Sequence, residues 1–111
     1  LDLKFGQKKE NELQEALEGL IECKADRLCQ KTGNIFVEVE SRGKPSGINV
    51  TEATYQAYCL VKEKRKKDIW VLIPTDIVKK IMVKYPIKKG GDNYTSKGHI
   101  IPKEKLLNLS I

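Results

Sequence analysis

The chain has 111 residues, 40% hydrophobic and 32% charged, the balance of one globular domain that buries about two-thirds of its unfolded surface. Lys and Arg outnumber Asp and Glu by 21 to 15, and the resulting net charge of +6 points to a polyanionic partner such as nucleic acid. No apolar run approaches the roughly 20 residues of a membrane span, the N-terminus has no signal-peptide core, and three cysteines without a CxxC, beside one His, exclude an obvious zinc site and favour a reducing, cytoplasmic setting.

Residues 5–19 read as a helix. Leu13, Leu17 and Leu20 fall at helical spacing in a narrow apolar stripe, and Gly19 is a helix stop. Glu10 lies on the edge of that stripe, one turn before Leu13, and is expected to face the protein; the plainer role for it is compensation of the helix dipole. Leu20 to Arg27 then alternates, with Ile21, Cys23 and Ala25 on one face and Glu22, Lys24 and Asp26 on the other. Cys23 and Cys59 both sit in apolar patterns and read as small buried thiols. Thr32-Gly33-Asn34 is turn chemistry, and the segment after it alternates again, with Val37 and Val39 opposite Glu38 and Glu40. A hairpin of these two segments would bring Asp26, Glu38 and Glu40 onto one surface.

A donor-rich loop, Ser41-Arg42-Gly43-Lys44-Pro45-Ser46-Gly47, follows directly. Thr51, with Glu52 or Thr54, offers an N-cap for a second helix over 51–66, with Ala53, Ala57, Leu60 and Val61 inward and a basic end at Lys62, Lys64, Arg65, Lys66 and Lys67. Ile69 to Ile73 reads as a strand buried on both faces and closed by Pro74. A short helix over 76–84 comes next, with Ile77, Val78, Ile81 and Met82 inward. The tail is loop-rich, with a short strand at 99–102 and a helical turn from Lys103 to Leu109.

Two carboxylates about 5 Å apart repel by roughly 3 kcal/mol at an effective dielectric of 20, so a surface that gathers several calls for a cation. The plainer alternative is the wet face of an ordinary hairpin. Mg²⁺ suits the acidic arrangement, because it takes few protein carboxylates and keeps waters and substrate phosphates. Beside a phosphodiester it neutralises developing charge and lowers the pKa of an attacking water. Lys44 and Ser46, flanked by glycines, suit phosphate contact; the alternative is a tight turn set by Gly43, Pro45 and Gly47.

The run from Gly33 to Glu40, then Gly43-Lys44-Pro45-Ser46-Gly47-Ile48 and Thr51-Glu52-Ala53, resembles small phage-type members of the PD-(D/E)xK nuclease superfamily. Gly6-Gln7 with Glu10, and Glu22 to Asp26, extend the match over most of the chain before Tyr85. The resemblance implies a single α/β domain of the restriction-endonuclease-like fold, an αβββαβ core around a central mixed sheet flanked by helices. It implies a DNA endonuclease using Mg²⁺ or Mn²⁺, in the host cytoplasm if phage-encoded. Asp26 and Glu38 would bind the metal, and Glu10 would be a further metal-holding acid. Glu40 stands at the usual lysine position and Ala25 where a proline is usual, so the water-orienting group is open among Glu40, Lys24 and Lys44. Tyr55 and Gln56 would line the cleft and, with Lys44 and Ser46, meet the nucleic acid. Nucleases that cut both strands often work as dimers, so a homodimer joins the expectations; a membrane partner does not.

Two rival readings remain. A non-catalytic nucleic-acid-binding module on the same fold explains the basic charge without using the acids. A small interaction protein carries the acids as a plain sheet face and binds DNA with little salt dependence.

Overall fold

The computed structural model describes residues 3–26, 32–60 and 69–109; the side chains of Ala16, Ala25, Asp26 and Asp92 lie outside that description, as do Cys29 and the basic run at 62–67. The chain begins with helix α1 (Leu3–Glu18), rich in the helix formers Lys, Glu, Gln and Leu. Every described side chain of α1 is exposed, including Leu13 at 51%, Leu17 at 61% and Glu10. The expectation that Glu10 faces the protein is therefore corrected. Phe5, Leu13 and Leu17 share a four-residue spacing whose slot at position 9 is filled by Lys9, its ammonium 5.7 Å from the Phe5 ring centroid. A stripe broken by a charge offers too little apolar area to draw the helix inward.

Two sheets follow. The mixed sheet has the order β1–β4–β5, with β4 (Tyr55–Leu60) parallel to β1 (Ile21–Asp26) and antiparallel to β5 (Ile69–Pro74). The antiparallel sheet has the order β3–β2–β7–β6, built from β2 (Asn34–Ser41), β3 (Lys44–Pro45), β6 (Ile87–Gly90) and β7 (Ser96–Pro102). Helix α2 (Thr75–Met82) follows β5, and the short α3 (Lys103–Leu107) follows β7. The architecture is mixed α/β.

Two expectations change here. β1 and β2 do not form a hairpin; they belong to different sheets. An antiparallel pairing of two acid-bearing strands sets like charges across from one another, which is destabilising. The observed register sets Glu22 beside Gln56 and Lys24 beside Tyr58 instead, while β2 sets Ile35 against Ile101 and Val37 against His99. The second correction concerns residues 51–66. The described part of this stretch forms β4, not a helix, with Gln56 through Leu60 all buried. A short apolar run fits both periods, and burial on both faces of a central strand, with Tyr and Cys in it, decides for extended chain.

The core lies between the sheets and is sealed by the last two helices. Ile73, Val78, Ile101 and Leu106 are fully buried and pack with Ile35, Val37, Leu60 and Val71. α2 turns Val78 and Met82 inward, carries Asp76 in its first turn and Lys79 and Lys80 in its last, and so complements its own dipole. Thr75 ties the start of α2 to β4: its N–H donates to the Thr54 carbonyl (2.9 Å) and its hydroxyl to the Ala53 carbonyl (2.7 Å). His99 is buried, and its Nδ1–H donates to the Tyr85 carbonyl at 2.8 Å, a structural use of the only histidine. Cys59 is buried as expected, whereas Cys23 is exposed. Trp70, paired with Cys59 from the edge strand β5, is exposed as well, so on this face burial is confined to the central strand. Among the described residues no helix is long and apolar enough to cross a membrane.

Candidate active site

The donor-rich loop has a tight geometry. Arg42 and Gly43 both have positive φ, 51° and 79°, and Ser41 pairs with Lys44 across them, the two-residue turn that matches the twist of a β-hairpin. The loop then folds back on β2: the Ser46 N–H donates to the Val39 carbonyl at 3.0 Å and the Asn49 side chain to the same carbonyl at 3.1 Å. Gly47 has φ +55°, and a Cβ there would sit 2.2 Å from the Glu38 carbonyl oxygen. Only glycine allows so close an approach. It brings the Ser46 hydroxyl to Glu38, where it donates to Oε2 at 2.9 Å.

Glu38 is half-buried and lines a cleft of about 760 Å³. Phe36 and Glu38 come from β2 on one wall; Lys24 from β1 and Gln56 and Tyr58 from β4 come from the other sheet. Gly90 and Gly98 leave room for the Phe36 ring, since a Cβ at Gly98 would stand 2.7 Å from it. Lys88, Lys89 and Tyr94 close the side formed by β6 and the turn after it.

Glu22 is held by Lys24 and by Thr51. The Lys24 ammonium lies 2.7 Å from its Oε1, and the Thr51 hydroxyl donates to Oε2. The Gln56 amide, opposite Glu22 in the register, donates to the Thr75 hydroxyl at 3.1 Å. The Lys24 hydrogen bond, then that of Thr51, lowers the Glu22 pKa against the opposing effect of burial. The carboxylate stays ionised. Tyr58 is driven the other way, chiefly by burial and secondarily by the Glu22 charge, so its phenol stays protonated.

The residues singled out from the sequence are distributed as follows. Lys24, Glu38 and Gln56 line the cleft, and Ser46 bonds to Glu38. Gln56 is buried, with its amide committed within the protein. Tyr55 precedes it on β4 and is half-buried on the other face. Glu40 lies beyond a bulge after Glu38, pairs with Lys97 at 3.3 Å and does not line the cleft. Lys44 is exposed on the β2–β3 hairpin. Glu10 is exposed on α1. Asp26 ends β1, and its side chain lies outside the described residues.

Three features were missed from sequence: Glu22 as a held carboxylate, Thr51 as its partner, and the β6 wall. The signal for the first two was present in part. Glu22-Cys23-Lys24 on one strand and Gln56-Ala57-Tyr58 on another each place two polar groups on one face, but only the parallel register aligns them.

Among the described residues no three acids, cysteines or histidines stand close enough to hold a metal together. The Glu38 carboxylate that lines the cleft, with the Ser46 hydroxyl bonded to it, is nonetheless an oxygen donor of the hard type that Mg²⁺ accepts, and that ion uses only one or two carboxylates beside waters and phosphates. No protein-family model matches the chain, and no curated protein or solved structure matches it either.

Proposed function

We propose that this protein is a metal-dependent DNA endonuclease that hydrolyses phosphodiester bonds, built on a restriction-endonuclease-like core. The observation that carries this reading is the meeting of Lys24 and Glu38 in one cleft, although they come from different sheets. The chain opens with a helix followed by strands, as an αβββαβ core does, but β1 pairs in the mixed sheet and β2 and β3 in the antiparallel one, and a 3-10 turn at Gly47–Asn49, in place of an α-helix, leads from β3 toward β4. The basic charge supports DNA as the substrate.

Glu38, with Asp26 as the second carboxylate, would hold the Mg²⁺ or Mn²⁺ ion. The ion, when bound, polarises the phosphodiester as a Lewis acid. The remaining work belongs to the chain. Ser46 fixes one oxygen of Glu38, and Thr51 fixes one oxygen of Glu22, so both carboxylates enter oriented. Lys24 is the group we assign to the attacking water and the scissile phosphate, in place of Glu40, whose partner is Lys97. It would exchange its contact with Glu22 for the phosphate when substrate enters. Its ammonium stabilises the charge that builds on the phosphoryl oxygens.

The test is conversion of supercoiled plasmid to nicked and linear forms in Mg²⁺ and in Mn²⁺. Wild type is expected to cut, and Glu38→Gln and Lys24→Ala to lose at least a hundredfold in rate. No cutting in either ion, or cutting untouched by Glu38→Gln, overturns the reading. One observation favours the non-catalytic module: Glu22 and Lys24 already neutralise one another at 2.7 Å. Calorimetric Mg²⁺ titration separates the two, since the module should show no site that Glu38→Gln abolishes.

A further inference from the structure

We propose that the cleft admits an unpaired DNA strand, with Tyr94 as the platform on which a base stacks; this rests on the reading above in taking the Lys24–Glu38 end of the cleft as the seat of the scissile phosphate.

The first observation is Tyr94 itself. It is 73% exposed, yet it lines the cleft. Its φ is +56°, as is that of Asn93 before it, and Gly91 begins the turn at φ +71°. Asn tolerates the left-handed region, but a bulky aromatic residue there is a true outlier. The turn is closed by the Tyr94 N–H donating to the Gly91 carbonyl at 3.2 Å and anchored by the Arg42 N–H donating to the Thr95 carbonyl at 2.8 Å. Strained backbone that holds a large apolar ring in water, at the rim of a cleft, is stabilising nothing in the core. Such strain concentrates where ligands are gripped.

The second observation is charge. Lys88 and Lys89 line the cleft beside Tyr94, and among the described residues neither forms an ion pair with a carboxylate. A basic wall interleaved with an exposed aromatic residue is the pattern that binds single strands, where the backbone follows the charges and the bases stack on rings.

The third observation is size. A volume of 760 Å³ falls in the range, about 300–1,000 Å³, that encloses a small molecule such as a nucleotide. Glu38 is half-buried within that space. A paired base has both faces taken by its neighbours in the stack, so it cannot offer one to Tyr94. A strand end, a gap or a branch point offers both an accessible base face and a phosphate able to reach Glu38.

The experiment is fluorescence anisotropy of the full chain, in EDTA, against a labelled 20-nucleotide single strand and a blunt duplex of equal length. Wild type should bind the single strand at least tenfold more tightly than the duplex. Tyr94→Ala should lose about tenfold on the single strand and little on the duplex, while Tyr94→Phe keeps the affinity. A double Lys88→Ala, Lys89→Ala variant should flatten the salt dependence by about 1.4 in log–log slope. Equal or tighter duplex binding, or a Tyr94→Ala variant that binds as wild type, overturns the proposal. The same oligonucleotides are then offered with Mn²⁺. Strand preference without cleavage of any DNA sinks the endonuclease reading and leaves this one standing; cleavage of duplex with Tyr94 indifferent does the reverse.

Discussion

Replacing Gly47 by alanine tests how the site is assembled, because Gly43 provides a matched control. Both glycines have positive φ, +55° and +79°, so alanine at either position carries the left-handed cost of roughly 1–2 kcal/mol. They differ in space. Gly43 has nothing within 4 Å of a Cβ, whereas at Gly47 the Cβ would lie 2.2 Å from the Glu38 carbonyl oxygen and 2.9 Å from the Glu38 Cβ. These atoms belong to a central strand and cannot swing aside, so overpacking adds about 1–3 kcal/mol. Gly43→Ala should therefore cost about 1 kcal/mol and Gly47→Ala about 3 kcal/mol. For a domain of this size that difference separates the melting temperatures by roughly 8 °C. Urea melts give the free energies, and calorimetry gives the midpoints. Because the loop must back away from β2, Gly47→Ala should also break the Ser46–Glu38 bond and reduce cleavage, while Gly43→Ala leaves cleavage intact. Equal destabilisation by the two substitutions would refute the close approach.

Three further outcomes follow from the same geometry. The folded state lowers the pKa of Glu22, so its contribution to stability is present above the ordinary value of 4.5 and is lost as pH falls through the depressed one; thermal melts of wild type and Glu22→Gln should converge as the pH drops below 4.5, and a gap that widens with acid would contradict this. Ile101→Ala removes a fully buried side chain facing Ile35 and should cost about 2–5 kcal/mol in urea unfolding; under 1 kcal/mol would mean the two sheets do not share this core. Iodoacetamide followed by peptide mass spectrometry should modify Cys23 in the native protein and Cys59 only after denaturant, and equal labelling of the two would place β4 at the surface.

Local pattern made much of the chain legible. Alternation marks both β1 and β2, and the apolar run from Ile69 to Ile73 is a strand, but with Val71 and Ile73 buried on one face and Trp70 exposed on the other rather than buried on both, because β5 lies at the edge of its sheet. Helical spacing marks α1 and α2, and the glycine-rich loop is the turn its φ values require. The stretch after Thr51 was ambiguous because Ala53, Ala57 and Leu60 satisfy helical spacing while Gln56 to Leu60 can also be buried on both faces of a strand. Glu10 was legible as a helical acid but not as a solvent-facing one, because that depends on whether the helix has a neighbour.

Residue order alone therefore determined that β1, β2 and β5 extend, that α1 and α2 coil, that the chain turns at the glycine-rich loop, and that the whole is basic. Pairing was decided by the tertiary structure. A strand carries the same period whichever partner it takes, and the choice depends on total burial and on keeping like charges apart, sums that run over residues remote in sequence. For that reason Glu22 and Lys24 meet Gln56 in a parallel register, Glu38 meets Ser46 through a glycine with no room for a Cβ, and Lys88 and Tyr94 arrive from the far end of the chain to complete the cleft.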